Sequence, residues 1–163
     1  MPTPTAARRV VVNPAAVRRL TAEGLAVTLA HETVHAVTRS PSSPAPIWAV
    51  EGLADYVALQ AHPDARAGVE QPLLSRIRAE GAPDRLPSAA DFDADADRLD
   101  LAYAEAESIC RYVAETASVD QLGELYRALD RGRTVDQAAT EVLGVDEDGL
   151  TDGWRRWLAA QAR

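Results

Sequence analysis

The pattern of hydrophobic positions predicts a mostly helical chain. Apolar residues recur at helical spacing through most of the sequence, and the stretches are interrupted by Pro-rich or Gly-containing segments. The predicted long helices cover about 21–38, 47–61, 99–117 and 147–162. Two further helices are predicted from capping boxes at Ser118 and Thr134, and Gly132 and Gly144 end them.

The pattern is weaker elsewhere. Residues 9–14 (Arg-Val-Val-Val-Asn-Pro) are β-branched and are bounded by proline, so they predict one short strand. Between the second and third long helices we predict only a short helix at about 72–79, ended by Gly81, and a capped single turn after Ser88. The expected fold class is therefore mostly α, or α+β at most. We expect residues 1–8 to be a flexible segment and 9–163 to form a single domain, with the site on helices within about 21–61 and a helical part at about 99–162.

The helix at 21–38 carries the clearest chemical signal. It is apolar nearly all round, which predicts that it is buried. Its polar stripe contains His31 and His35, one turn apart, so both imidazoles can bind the same metal ion. Glu32 lies part of a turn away, where a carboxylate can reach a metal-bound water without being a ligand. This His-Glu-x-x-His arrangement is typical of zinc hydrolases.

A hydrolytic zinc site needs a third protein ligand. Cys110 is the single cysteine and lies in a helical pattern, so we expect a buried thiol. His62 precedes a proline at a helix end and is expected at the surface. Glu51 is the best candidate, because the Pro-rich loop at 40–46 turns the chain back and an antiparallel second helix would bring Glu51 beside His31 and His35.

The segment Trp48-Ala-Val-Glu51-Gly52-Leu-Ala-Asp55-Tyr56 resembles the W-x-x-E-G-x-A-x-Y signature of gluzincin metallopeptidases, particularly small bacterial peptidase-MA-like domains. Later segments resemble the same family in order: Leu-Pro-Ser at 86–88, Ala-Tyr at 102–103 and Arg-Tyr at 111–112. The resemblance covers about residues 8–160, with a shorter spacing between His35 and Glu51 and a reduced upstream sheet.

The resemblance implies a zincin-like helical core and a zinc metallopeptidase that acts on a peptide or protein substrate. His31, His35 and Glu51 would bind one zinc ion, and Glu32 would be the general base. The resemblance also implies that Asp55 accepts a hydrogen bond from a ligand imidazole and that Tyr103 supplies the oxyanion donor. Trp48 and Tyr56 are expected to be packing residues.

Composition narrows the other possibilities. The net charge of -8 argues against a nucleic-acid partner or an anionic membrane. No apolar run is long enough to span a membrane, and the N-terminus lacks the apolar core of a signal peptide. We expect a soluble protein, cytoplasmic if the chain is complete or extracytoplasmic if it is a domain cut from a longer protein. The sequence does not indicate an oligomeric state.

Alternate aspartates at 91, 93, 95 and 97 resemble a calcium loop, but Ala96 and Ala102 stand where an EF-hand needs Gly and Glu. We therefore expect a solvated acidic loop.

Two alternatives to a peptidase stay open at this point. The chain could be a zinc-containing module that binds a peptide or protein with little or no turnover, or its zinc could be purely structural. Glu32 disfavours the structural alternative, because a closed site needs no base beside its first histidine.

Overall fold

The computed structural model of the chain describes residue 10 and residues 13–163. These residues form α-helices, two short 3₁₀ turns at Ser40–Ser42 and Ala89–Phe92, and no strand. The helices are α1 (Pro14–Val17), α2 (Ala22–Thr38), α3 (Ile47–Leu59), α4 (Pro63–Glu80), α5 (Leu99–Thr116), α6 (Val119–Asp130), α7 (Val135–Leu143) and α8 (Glu147–Gln161). The prediction of a mostly α fold is confirmed.

The predicted N-terminal features fall mainly outside this part of the chain. The segment expected to be flexible, 1–8, is not among the described residues, and neither are Arg9, Val11 and Val12 of the expected strand. Pro14 begins α1.

Close approach of two helices organises the core. α3 packs most extensively against α5, and Gly52 is the point of contact, because a Cβ there would overlap the carbonyl oxygen of Ala106. The two helices run antiparallel, since the earlier residue Trp48 shares a small cavity with the later Cys110. Cys110 is buried, as predicted. Close packing therefore explains why glycine follows Glu51, without reference to any chemistry at the site.

The C-terminal helices complete the core. Trp154 of α8 is fully buried, and its indole N–H donates a 2.9 Å hydrogen bond to the hydroxyl of Ser108 on α5. Thr134 forms the predicted capping box at the start of α7. At α6, Ser118 caps the helix, but Gln121 donates to the carbonyl of Val142 instead of closing the predicted box. That bond ties α6 to the end of α7.

The prediction that the His-Glu-x-x-His helix is buried is wrong. None of the 17 residues of α2 is buried, and Leu29 and Val37 keep 38% and 64% of their surface exposed. The physical reason is that α2 packs on one side only, mainly against α3. Hydrophobic patterning records which side chains are apolar, but it does not record what covers them.

The helix predicted at 72–79 ends at Gly81 as expected, but its predicted start is wrong. α4 begins nine residues earlier, at Pro63, and Pro72 lies inside it. Proline is well suited to the first turn of a helix but costs a hydrogen bond in its interior. The buried residues of α4 are Leu73, Leu74 and Ile77, all in its second half, so the first half has no apolar period that could have predicted it.

The acidic loop is only partly solvated. Asp93, Asp95 and Asp97 are exposed, as expected, but Asp91 is buried and forms a capping box with Ser88. Asp91 accepts two hydrogen bonds from the Arg85 guanidinium, at 2.7 and 3.0 Å. These bonds hold the pKa of Asp91 well below its usual range despite its burial.

No helix in the described part of the chain is both long and apolar enough to cross a membrane.

Candidate active site

Antiparallel packing of α2 on α3 brings the predicted metal ligands together. The Nε2 atoms of His31 and His35 lie 2.8 Å apart, and each is 3.4 Å from Oε2 of Glu51. His31 and His35 lie on the same face of α2, because they are four residues apart, and this face packs against the side of α3 that carries Glu51. Within the described residues, these three form the one group with the spacing of a metal site.

Asp55 lies one turn after Glu51 on α3 and contacts the other side of the same imidazole. Nδ1 of His31 donates a 2.7 Å hydrogen bond to Oδ1 of Asp55. This bond fixes the hydrogen on Nδ1 and leaves Nε2 directed at Glu51 and His35. A carboxylate behind a ligand histidine orients the ring and raises its basicity. The structure thus contains the hydrogen bond between Asp55 and His31, and the ligand role of His31 stays a prediction.

The electrostatics of the cluster favour a cation. Burial alone would lower the pKa of His31, but hydrogen bonds with Asp55 and Glu51 raise it to about 10. Burial would likewise raise the pKa of Glu51, but hydrogen bonds with the two histidines lower it to about 2. At neutral pH His31 of the metal-free cluster is therefore protonated, and its Nε2 faces Nε2 of His35 and Oε2 of Glu51. A divalent cation can replace that proton.

The donor set fits zinc. Two imidazole nitrogens and one carboxylate oxygen are the ligands of gluzincin-like sites, and tetrahedral ligands bound at about 2.0–2.1 Å lie roughly 3.3 Å from one another. The two distances to Glu51 match that spacing, and the two imidazoles need to separate by about half an ångström. One feature differs from the usual second shell: Nδ1 of His35 is buried and has no hydrogen-bond partner among the described residues.

The two residues expected to assist the chemistry lie beside this cluster. Glu32 follows His31 on α2 and is exposed to solvent. Tyr103 lies on α5: burial raises its pKa, and the charges of Glu51, Asp55 and Glu32 raise it further. Its ring packs edge-on against Phe92, with 5.3 Å between ring centroids. Tyr103 is thus within electrostatic range of the three carboxylates, and its role as a donor stays a prediction.

The third histidine lies apart from the cluster. Nδ1 of His62 is 3.6 Å from a carboxylate oxygen of Glu23 at the start of α2. His62 is partly buried rather than fully at the surface. It connects the beginning of α4 to the beginning of α2, and it is not a ligand candidate.

Sequence reasoning missed one wall of the site. Asp55 and Tyr103 also line a cleft of about 780 Å³ whose far side is α4. Pro72, Leu73 and Arg76 of this wall fall within the helix predicted at 72–79, but the sequence did not indicate that this helix faces the site, and its extension back to Pro63 was missed. A possible signal was Pro63 directly after a helix end, since proline favours the first turn of a new helix.

Comparison with known proteins gives a family and no individual relative. No curated protein and no solved structure matches the chain significantly. A sequence model of the peptidase MA superfamily matches residues 9–160. That match contains both helices of the metal cluster, the cleft and the C-terminal core. Because it spans nearly the whole sequence, the chain belongs to the peptidase MA superfamily.

Proposed function

We propose that the protein is a zinc-dependent metallopeptidase of the gluzincin type that hydrolyses peptide bonds in a peptide or protein substrate. The observation that carries the proposal is the convergence of His31, His35 and Glu51 on one point beside the exposed Glu32. These three residues would hold one zinc ion. Peptidases of the MA superfamily are generally metal-dependent, which supports the proposal.

The roles of the protein groups follow from their positions. When bound, zinc supplies a Lewis acid that polarises the scissile carbonyl and acidifies the attacking water. Glu32 accepts the proton of that water and delivers it to the leaving nitrogen, acting first as base and then as acid. Asp55 keeps the lone pair of His31 Nε2 directed into the site through the bond to Nδ1. The Tyr103 hydroxyl donates a hydrogen bond to the developing oxyanion.

The decisive test combines metal analysis with a Glu32→Gln variant. We expect about one zinc per chain in both the parent protein and the variant, since Glu32 is not a ligand. Cleavage of a mixed peptide library should fall by about 10²- to 10⁴-fold in the variant, the range associated with a general base. His62→Gln is a matched control: it removes a histidine outside the cluster and should keep both zinc and cleavage.

The outcomes separate the alternatives. A protein purified with zinc present that holds no metal would overturn the metal site and the function together. Zinc without cleavage over many peptide sequences would favour the non-catalytic module that binds a peptide or protein partner. Cleavage that survives in Glu32→Gln would remove Glu32 from the role of base while leaving a peptidase.

A further inference from the structure

The cleft adjoins the metal cluster through Asp55, which lines the cleft and forms a hydrogen bond with His31. It opens between α4 and the start of α5, and Asp55 and Tyr103 form the end nearest the metal ligands. Asp55 forms the hydrogen bond with His31, and burial together with the charge of Glu51 raises the pKa of Tyr103. A peptide with its scissile bond at the cluster therefore places a neighbouring side chain at the mouth of this cleft.

Part of the cleft wall is apolar. Val69, Pro72 and Leu73 line it from α4, and Leu101 and Ala104 line it from α5. Leu73 and Ala104 are buried members of the main core, so this part of the wall is rigid. An aliphatic side chain can pack along such a wall over several carbon atoms.

The cationic groups of the cleft are already neutralised. Arg76 pairs with Glu80 at 2.8 Å on α4. Arg98 donates to Glu105 at 2.6 Å and to the buried Asp91 at 3.3 Å. Both guanidiniums are therefore paired with protein carboxylates, so each offers an acidic substrate less net positive charge than an unpaired arginine would.

The unpaired charges of the cleft are acidic. Asp97 and Asp100 line it, are exposed, and have no ion pair or side-chain hydrogen bond among the described residues. They stand next to the apolar residues that α4 and α5 contribute to the cleft. The combination of an apolar wall and free carboxylates matches a side chain with an aliphatic stem and a cationic tip.

We propose that this cleft binds an arginine or lysine side chain of the substrate, at a residue close to the scissile bond, and that Asp97 and Asp100 are its specificity-determining residues. The inference rests on the proposed peptidase function, because it names the substrate class of the same site. The aliphatic stem packs on the α4 wall, and the charged end reaches the two carboxylates. Glutamate at the same position would meet uncompensated negative charge.

The test uses a set of internally quenched decapeptides in which one residue is varied through arginine, norleucine and glutamate at each position in turn. We expect the parent protein, loaded with zinc, to cleave the best arginine peptide about three- to tenfold more efficiently than its norleucine counterpart, as expected for one or two partly exposed charge pairs. In Asp97→Asn/Asp100→Asn, the ratio of kcat/KM between these two peptides should fall to about one. The preference should also shrink as salt is added.

The matched control is Asp93→Asn/Asp95→Asn. It removes the same amount of charge from the loop that precedes α5, but neither residue lines the cleft. This control should keep the parent ratio, so a loss there would mean that general charge sets the preference and would overturn the inference. Circular dichroism and thermal unfolding of both double variants report whether each still folds.

A binding measurement separates this inference from the peptidase proposal. Fluorescein-labelled versions of the same peptides are titrated with zinc-loaded Glu32→Gln protein and followed by anisotropy. Tighter binding of the arginine peptide, lost in the Asp97→Asn/Asp100→Asn background, supports the cleft assignment even if the parent protein cleaves nothing. Equal binding of arginine, norleucine and glutamate peptides overturns the assignment even if the parent protein is an active peptidase.

Discussion

Two of the three proposed metal ligands were predictable at the level of single residues, because the geometry of His31 and His35 is local. His31 and His35 share a face through helical spacing alone, and the structure places their Nε2 atoms 2.8 Å apart. Glu51 and Asp55 needed a tertiary assumption, the antiparallel return of the second helix, and a resemblance to other sequences. The free carboxylates of Asp97 and Asp100 could not be assigned from sequence, because their significance depends on which arginines other acids neutralise.

The pKa of His31 gives a prediction about metal binding. In the metal-free protein this pKa is raised to about 10, so zinc must displace a proton from His31 at every pH below that value. The zinc affinity should therefore rise by about tenfold per pH unit between pH 7 and 9 from this group alone. Titration against a chromophoric zinc chelator at several pH values measures the slope.

Asp55→Asn provides the contrast. The substitution removes one of the two carboxylates that raise the pKa of His31, so this pKa should fall. A proton on His31 then competes with zinc over a narrower pH range, and the rise of zinc affinity with pH should become shallower. The zinc affinity at pH 9 should fall by about 10- to 100-fold, because the ring loses its orienting partner. An unchanged slope would mean that Asp55 does not control the protonation of His31.

The same pKa has a consequence for folding in the absence of metal. The pKa of His31 is higher in the folded state than the ordinary value of 6.5. The stabilisation from its protonated form is therefore fully present below pH 6.5 and is lost as pH rises through about 10.

At the scale of helices, Gly52 joins the site to the core. It lets α5 approach α3 so closely that a methyl group would overlap the Ala106 carbonyl oxygen and press on Cys110. Gly52→Ala should reduce the free energy of unfolding by about 1–3 kcal/mol, the usual cost of overpacking. The gain in helix propensity, about 1 kcal/mol, offsets only part of this cost. Urea denaturation followed by circular dichroism gives the value.

Gly123 of α6 is the matched position for this experiment. A Cβ there meets only the flexible guanidinium of Arg127, at 3.5 Å. Gly123→Ala should therefore stabilise the protein by about 0.5–1 kcal/mol, as alanine does in an uncrowded helix. If both variants changed stability in the same direction, close packing at Gly52 would not explain its effect.

Helices with a regular apolar period along their whole length were predicted better than the others. α5 and α8 have buried stripes, and their predicted and observed bounds differ by a residue. α4 was largely missed, because its first half buries nothing and its interior contains Pro72. α2 was found at the right place but assigned the wrong environment. A helical period therefore predicts the existence of a helix, while its burial depends on partners that lie elsewhere in the chain.

At the scale of the whole molecule, the metal site joins two parts of unequal stability. α3 to α8 share the main core, with fully buried residues such as Trp154 and Ile109. α2 carries two of the three proposed ligands but buries none of its residues and packs mainly on α3. A zinc ion bound by His31, His35 and Glu51 would cross-link this exposed helix to the core.

Zinc removal should therefore loosen α2 before it affects the rest of the fold. Free zinc at a concentration 100 times its Kd stabilises the zinc-binding conformation by about 2.7 kcal/mol. Because the ion would link α2 to α3, this stabilisation opposes only those opening motions that separate the two helices. Hydrogen–deuterium exchange with and without a chelator should show faster exchange in α2, by about a hundredfold at most, and little change in α5 and α8. His35→Ala should exchange like the chelated protein whether or not zinc is added, whereas His62→Gln should keep the zinc-dependent protection. Uniform loss of protection in every helix would instead mean that α2 and the core open together, and the metal would then stabilise the whole domain as one cooperative unit.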